Sequence, residues 1–323
     1  MKAIAQDRYG SAEVLELRDL DAPELGEHDV LVRVRAAGCG PDVWHYMTGE
    51  PYFARLMLGL RRPKIAVRGG DVAGTVESVG RAVTGFKPGD EVMGFALGSF
   101  AELAVVPEQK LVHKPTRLSF EEAAAVPVSG VTALQALRDV GRMAAGQRVL
   151  VVGAAGGVGT LAVQMAKALG AHVTGVCSAS KAELVRSIGA DEVIDYTIEE
   201  FTDGSRHWDL IIDTAGRRSL PQLRRALGPR GTLVIVGGDG GGRWTGGFFR
   251  GIFRAPLLSL FVGQRMRGFV SKESGEDLRT VSGMIEKGTV TPVIDRTYQL
   301  VEAADAVRYM EQGHPRGKVV IVV

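Results

Sequence analysis

The stretch VLVVGAAGGVGTLAVQMAKALGA (149–171) carries the most chemistry in the chain. An apolar, strand-like run meets a cluster of glycines, and a helical pattern starts at once. Gly156 and Gly159 hold the last two glycine places of a G-x-G-x-x-G turn, and Ala154 holds the first. Such a turn presents backbone N–H groups at the positive end of a helix, which suits a pyrophosphate. The strand before it and the helix after it are the context that separates a dinucleotide site from a chance glycine match. A purely structural strand-to-helix turn is the alternative.

The following strand, HVTGVC (172–177), bears on the choice of dinucleotide. A site for NAD usually places Asp or Glu at this strand end, to accept from the ribose 2′-OH. Here the position is Cys177, and no carboxylate follows until Glu183. Ser178 offers a donor and Lys181 a positive charge. Missing repulsion and available donors both favour a 2′-phosphate, so NADP(H) is the expected cofactor. The alternative is that Lys181 is a solvated helix residue. Tyr196, at the end of the third strand, is placed to lie against the adenosine end.

The remaining reactive side chains are few. Cys39 and Cys177 are the only cysteines, which excludes a disulfide framework and a four-cysteine zinc lobe. A reducing compartment, the cytoplasm, is expected. The opening MKAIAQDRYG has no apolar core of a secretory signal, and no apolar stretch approaches the ~20 residues of a membrane helix. Net charge is only +2, so neither nucleic acid nor a membrane is an expected partner. Arg61, Arg62, Lys64 and Arg68 cluster locally and are expected at a solvated surface, with guidance of an anionic ligand as the alternative.

Three textures follow one another along the 323 residues. Up to residue 123, short runs such as HDVLVRVRAAG (28–38) alternate apolar and polar residues, which predicts a β-rich body with turns at Gly and Pro. From 124 to 269, strands alternate with helices, which predicts a parallel sheet covered on both faces. From 270, two helices and two strands are too little for a core of their own. They are expected to pack back on the first part. The domains are therefore 1–123 with 270–323, and 124–269.

With these landmarks in place, the chain resembles the medium-chain dehydrogenase/reductase family, in its zinc-free quinone oxidoreductase branch. The resemblance rests on GDVAGTVESVG (70–80), KPGDEVMGF (87–95), PVSGVTAL (127–134), GAAGGVG (153–159), GADEVIDY (189–196) and the terminal GKVVIVV. It implies an α/β protein: a split, GroES-like β-rich catalytic domain around a Rossmann domain with a doubly wound parallel sheet. It also implies a cofactor cleft and, commonly, dimers formed through the nucleotide domain. Carried over by position, Gly156, Gly157 and Val158 form the phosphate turn. Ser178, Lys181 and Tyr196 contact the 2′-phosphate. Thr132, Gly216 and Gly237 lie on the nicotinamide side. Pro41 and Asp42 match a loop that meets the cofactor, and Arg316 matches an arginine that faces it in some members. Zinc-containing members carry a Cys, a His-Glu pair and a third ligand; here Cys39 matches the Cys, but Gly70 replaces the His and Asp71 is at the acidic place. No metal is expected. Relatives without zinc often read N-P-x-D, where this chain has Cys39-Gly40-Pro41-Asp42.

Without a Lewis acid, a hydride is best delivered to a carbon whose product anion is already delocalised. Quinones and α,β-unsaturated carbonyls meet that condition, whereas a plain ketone needs help with its alkoxide. An electrophilic small molecule of that class is the expected acceptor. An alcohol dehydrogenase of the same family and a non-catalytic NADPH-binding protein are the alternatives. A proton donor adds about 10²–10⁴-fold. In DVWHYMTGEPYFARL (42–56), Tyr52 is the preferred donor and Tyr46 the second, with His45 also present. Trp44, Tyr46, Tyr52 and Phe53 are expected to form an aromatic wall for flat acceptors, with core packing as the alternative. The glycine-dense stretch 237–251 is a candidate closing loop.

Overall fold

Along Asp29–Cys39, side chains are buried alternately from Val30 to Ala36 and then without interruption. The strand therefore leaves a half-solvated sheet face and ends inside the protein. The computed structural model describes residues 1–237, 244, 253–313 and 315–323. Its strands are β1 Lys2–Ala5, β2 Glu16–Asp19, β3 Asp29–Cys39, β4 Asp71–Val79, β5 Glu91–Phe95, β6 Leu103–Pro107, β7 Leu111–His113, β8 Arg148–Val152, β9 His172–Cys177, β10 Glu192–Asp195, β11 Trp208–Asp213, β12 Leu227–Ile235, β13 Arg265–Gly268, β14 Ile294–Gln299 and β15 Lys318–Val322.

The chain divides into two units. One comprises Met1–Val131, Glu273–Lys287 and Pro292–Val323; the other Thr132–Lys272 and Gly288–Thr291. The first division falls inside the helix Pro127–Gln135, later than the boundary at 123/124 read from the sequence. The helix has no break at which composition could mark the crossing.

The first unit is built on a sheet ordered β14-β15-β3-β4-β5-β7, with β6 also paired to β3. All its ladders are antiparallel except β14 with β15. Val30, Val32, Val72, Phe100, Val319 and Ile321 fill its core. The helix Ala303–Glu311 adds Ala303, Ala306 and Val307, whose three- and four-residue spacing makes one apolar stripe. β15 lies next to β3, so the chain's last strand completes a sheet begun by its first hundred residues.

The second unit holds a sheet ordered β10-β9-β8-β11-β12-β13, parallel throughout. This is the 3-2-1-4-5-6 order of a doubly wound dinucleotide fold, which reverses between β8 and β11. Helices Gly157–Ala168, Ala182–Ser187 and Leu220–Arg225 connect successive strands. Leu150, Trp208, Ile211 and Leu233 lie in its core. The last of these strands, β13, has no signal in the sequence. In RMRG only Met266 is buried, so the strand carries no apolar run and exists through its pairing with β12. Among the described residues, no helix is long and apolar enough to cross a membrane.

Candidate functional site

β8 ends at Val152, and Gly153 turns the chain with φ +83°. The helix Gly157–Ala168 then starts from Gly156, whose backbone is extended and supplies no side-chain cap. Its first N–H groups, on Gly157 and Val158, are thus left for an anion at the positive helix end. Two glycines have distinct tasks here. A Cβ on Gly159 would lie 2.1 Å from the Gly153 carbonyl oxygen, so glycine alone lets the helix approach the strand. A Cβ on Gly156 would meet nothing closer than that same oxygen at 3.5 Å, which leaves open space over the turn. The turn therefore fits a bound pyrophosphate.

The sheet register brings Ser178, Lys181 and Tyr196 together. Asp195 of β10 is opposite Cys177 of β9, and the Tyr196 N–H donates to the Cys177 carbonyl at 3.2 Å. All three residues therefore follow the C-terminal ends of neighbouring strands. Burial, then Asp195, push the Cys177 thiol up to about 11, while Lys181 and Arg186 oppose them. Two cations act on this point against one carboxylate. Ser178 Oγ is 3.3 Å from Ser180 Oγ, so a second hydroxyl stands beside the first.

At the end of β11, the buried Asp213 carboxylate accepts from the N–H groups of Ala215 (3.2 Å) and Gly216 (3.0 Å). Gly216 sits at φ +66°. A Cβ on Gly237 would be 2.1 Å from the Thr214 carbonyl oxygen, so the chain after β12 runs against this turn. Thr132 is buried, and its hydroxyl donates to Ser271 Oγ at 2.8 Å. What it has left for a ligand is an acceptor lone pair. Of the candidate closing loop at 237–251, only Gly237 and Trp244 lie within the described residues.

In the first unit, the two strands that flank the end of β3, together with the helix that follows it, deliver a charged cluster. The register pairs Val319 with Cys39 and Gly38 with Asp71, which places Lys318 beside Asp71 across β3. Lys318 Nζ donates to Asp71 Oδ2 at 2.7 Å, and both side chains are almost fully buried. The other carboxylate oxygen accepts from the Val128 N–H at 2.7 Å. Asp42, in the first turn of the helix Pro41–Thr48, is the second carboxylate. A Cβ on Gly40 would be 2.4 Å from Asp42 Oδ1 and 3.2 Å from Lys318 Nζ, so the two groups flank this glycine. Burial raises the Asp42 carboxyl above its ordinary range, with Lys318 opposing and Asp71 adding. Burial also works against the Lys318 ammonium, but Asp71 and Asp42 together hold it above the usual lysine value.

These residues do not fit a zinc ion. Burial pushes the Cys39 thiol up to about 12, far from the thiolate that binds metal. Gly70 offers no ligand atom, and a Cβ there would be 2.8 Å from Asp42 Oδ2. Asp71 is committed to Lys318. Among the described residues, no three His, Cys, Asp or Glu side chains converge as ligands.

The aromatic segment differs from the single wall expected. Successive helical residues are turned by about 100°, so Trp44, His45 and Tyr46 diverge. Trp44 packs against the core and donates from Nε1 to Glu311 Oε1 at 2.8 Å. His45 Nδ1 is engaged with the Glu50 carbonyl oxygen at 2.7 Å. Tyr52 lies beneath Arg55, whose Cζ is 4.5 Å from its ring centroid. Tyr46 is partly exposed and faces Arg68, with Cζ 5.9 Å from its ring centroid. Arg68 itself is buried, contrary to the solvated surface expected for the whole basic cluster. Its neighbours in sequence gave no hint, because the residues that cover it come from distant parts of the chain. Lys318 was missed for the same reason: GKVVIVV reads as an ordinary edge of a strand. Pro41 and Arg316 are exposed, and the Arg316 N–H donates to Asp295 Oδ2 at 2.9 Å.

Comparison with known proteins agrees with this geometry. A family model described as alcohol dehydrogenase GroES-like domain matches residues 26–116, and one described as zinc-binding dehydrogenase matches 188–321. A quinone oxidoreductase of Pseudomonas aeruginosa is 37% identical over 319 residues, covering 94% of each chain. An NADPH-dependent alkenal/one oxidoreductase of Arabidopsis thaliana, chloroplastic, is 33% identical over 336 residues, covering 99% of this chain and 79% of its own. The structure of the quinone oxidoreductase from Coxiella burnetii matches with a TM-score of 0.86 at 31% identity, covering 100% of this chain and 99% of that one. The chain belongs to the medium-chain dehydrogenase/reductase family. Within that family it stands in the quinone oxidoreductase branch.

Proposed function

We propose that the protein is an NADPH-dependent oxidoreductase that reduces quinones or α,β-unsaturated carbonyls without zinc. The observation that carries this reading is the buried Lys318–Asp71 ion pair, which lies beside Cys39 and Gly70, the two positions that match metal ligands in the zinc-containing members. A fixed ammonium there does not coordinate the oxygen of a plain ketone. Acceptors whose product anion is delocalised need no such coordination.

The nicotinamide supplies a hydride when NADPH is bound. Gly156, Gly157 and Val158 hold the pyrophosphate through backbone N–H groups. Ser178, Lys181 and Tyr196 take the 2′-phosphate. Thr132, Gly216 and Gly237 serve the nicotinamide side, and Pro41, Asp42 and Arg316 are further cofactor contacts assigned from the family. Tyr46 and Tyr52 are the candidate proton donors. Tyr46 is the better placed, because its hydroxyl has no hydrogen bond among the described residues and a cation stands beside its ring. This reverses the order expected from the sequence.

A homodimer through the second unit is part of the same reading. β13 ends the sheet order, and Leu257, Leu260 and Phe261 beside it are exposed. The acceptor is a small molecule, with neither nucleic acid nor a membrane as partner for this reaction. A cytoplasmic location suits two free, buried cysteines.

The test follows NADPH absorbance with a panel of quinones, 2-alkenals and simple ketones, beside a metal assay of the purified protein. Turnover with the first two groups and none with ketones is expected. Ketone-only activity with stoichiometric zinc points to an alcohol dehydrogenase, and NADPH binding without turnover to a non-catalytic protein; either overturns the reading. In Lys181→Ala, the preference for NADPH over NADH in kcat/KM falls by roughly tenfold or more, the worth of one charge-assisted hydrogen bond. An unchanged preference would mean that the phosphate contacts lie elsewhere.

A further inference from the structure

Arg68 is 2% exposed, yet no carboxylate forms an ion pair with it among the described residues. Its Nε has no acceptor, and one terminal nitrogen donates to the Ile65 carbonyl. Its position is not slack. The Arg68 N–H donates to the Ile4 carbonyl at 3.1 Å, and its own carbonyl accepts from the Phe100 N–H at 2.8 Å. A buried guanidinium without a counter-ion is costly and is seldom kept for stability. Burial pulls it down to about 10, so it still carries its charge at neutral pH.

Among the described residues, the ionisable groups that act on Arg68 are two phenols, Tyr46 and Tyr9. Tyr9 is committed: its hydroxyl donates to the Gly59 carbonyl at 2.7 Å, and Arg55 lies over its ring. Tyr46 is not. Its hydroxyl is without a hydrogen bond among the described residues, and the side chain is 37% exposed. Burial, Glu273 and Asp42 all make its phenolate harder to form, and among the described residues Arg68 alone opposes them.

We propose that Arg68 is a positioning residue for proton delivery: its guanidinium holds the charge left on Tyr46 when that phenol protonates the reduced acceptor. The inference rests on the reading above, in which Tyr46 is a donor. An enone acceptor gains a hydride at its β-carbon and becomes an enolate. The Tyr46 O–H bond breaks, its electron pair stays on Oη, and the proton passes to the enolate. Water returns a proton to Oη. The cofactor is oxidised and the acceptor reduced by two electrons.

The experiment titrates tyrosinate absorbance in the full-length protein without acceptor, and subtracts Tyr46→Phe to isolate one phenol. In Arg68→Met, the Tyr46 midpoint rises by about one to two pH units, the scale expected for a charge ~6 Å from the centre of the ring at an effective dielectric of roughly 20–40. Arg68→Lys restores most of that shift. With an enone, kcat of Arg68→Met falls about tenfold with little change in KM, and its alkaline limb moves with the midpoint. Removing an unpaired buried charge also raises the urea midpoint, whereas a purely structural arginine would lower it on removal. An unmoved Tyr46 midpoint, or a loss of stability in both Arg68→Met and Arg68→Gln, overturns the proposal. Should Tyr46→Phe reduce the enone at the wild-type rate, the donor assignment fails, and the proposal with it. The acceptor panel separates this from failure of the NADPH reading, because wild-type turnover would persist.

Discussion

At the scale of single residues, the decisive group is Lys318. It is the ammonium that two buried or half-buried carboxylates share, so the cluster carries one negative charge in excess when all three are ionised. Replacing Lys318 by Met leaves Asp71 without its counter-ion. A loss of about 3–5 kcal/mol in urea unfolding is expected. Asp42→Asn acts in the opposite direction. The folded state raises the Asp42 carboxyl, so its contribution to stability is complete below the unfolded value of ~3.9 and is lost as pH rises through the folded one. Asn removes that loss, so the variant unfolds at higher urea than wild type at pH 7, with the gain vanishing towards pH 3. A variant less stable than wild type at neutral pH would show that the Asp42 charge is stabilising. Lys318 titrates far higher: its contribution persists below the ordinary lysine range of ~10.4 and is lost only as pH rises above it.

Among the elements, the strand–turn–helix at 148–168 offers the sharpest contrast. Gly159 serves packing, and Gly156 serves access. Gly159→Ala forces a Cβ against backbone, where neither β8 nor the helix yields cheaply, and should cost about 1–3 kcal/mol in urea unfolding. Gly156→Ala has room and an ordinary backbone conformation, so it should cost under ~1 kcal/mol as a poorer helix N-cap. Its methyl nevertheless stands over the turn, and NADPH binding followed by fluorescence should weaken by roughly tenfold. Equal stability losses in the two variants would contradict this division of tasks. The turn was legible in the sequence because strand, glycines and helix are contiguous. β13 was not, since a strand with one buried side chain has no periodicity to read. The helix Pro41–Thr48 hid its geometry in the same way. Its aromatic residues look like a group in the sequence, and the helical turn sends Trp44 to the core and Tyr46 to Arg68.

For the whole molecule, assembly turns on one sheet edge. β13 has β12 on one side and, among the described residues, no strand on the other. Next to it, Leu257, Leu260 and Phe261 are 59%, 76% and 81% exposed. An unpaired parallel edge with apolar side chains beside it favours a second copy of the same edge, related by a two-fold axis. Light scattering should give twice the chain mass of 34.4 kDa. Leu260→Lys with Phe261→Lys should halve it, while NADPH binding to the glycine turn persists. A monomeric wild type at micromolar concentration would refute the assembly.

Contiguous signals decided what the sequence could decide alone. The βα alternation, the glycine turn and Cys177 at the end of β9 are local patterns, and they sufficed for the fold class and the cofactor. The charge of Lys318, the burial of Arg68 and the divergence of the aromatic residues depended on which distant segments meet. β15 reaches Asp71 across β3, and residues 4 and 100 pin Arg68 between them. Electrostatic energy depends on distance and burial in space, and neither is encoded by spacing along the chain.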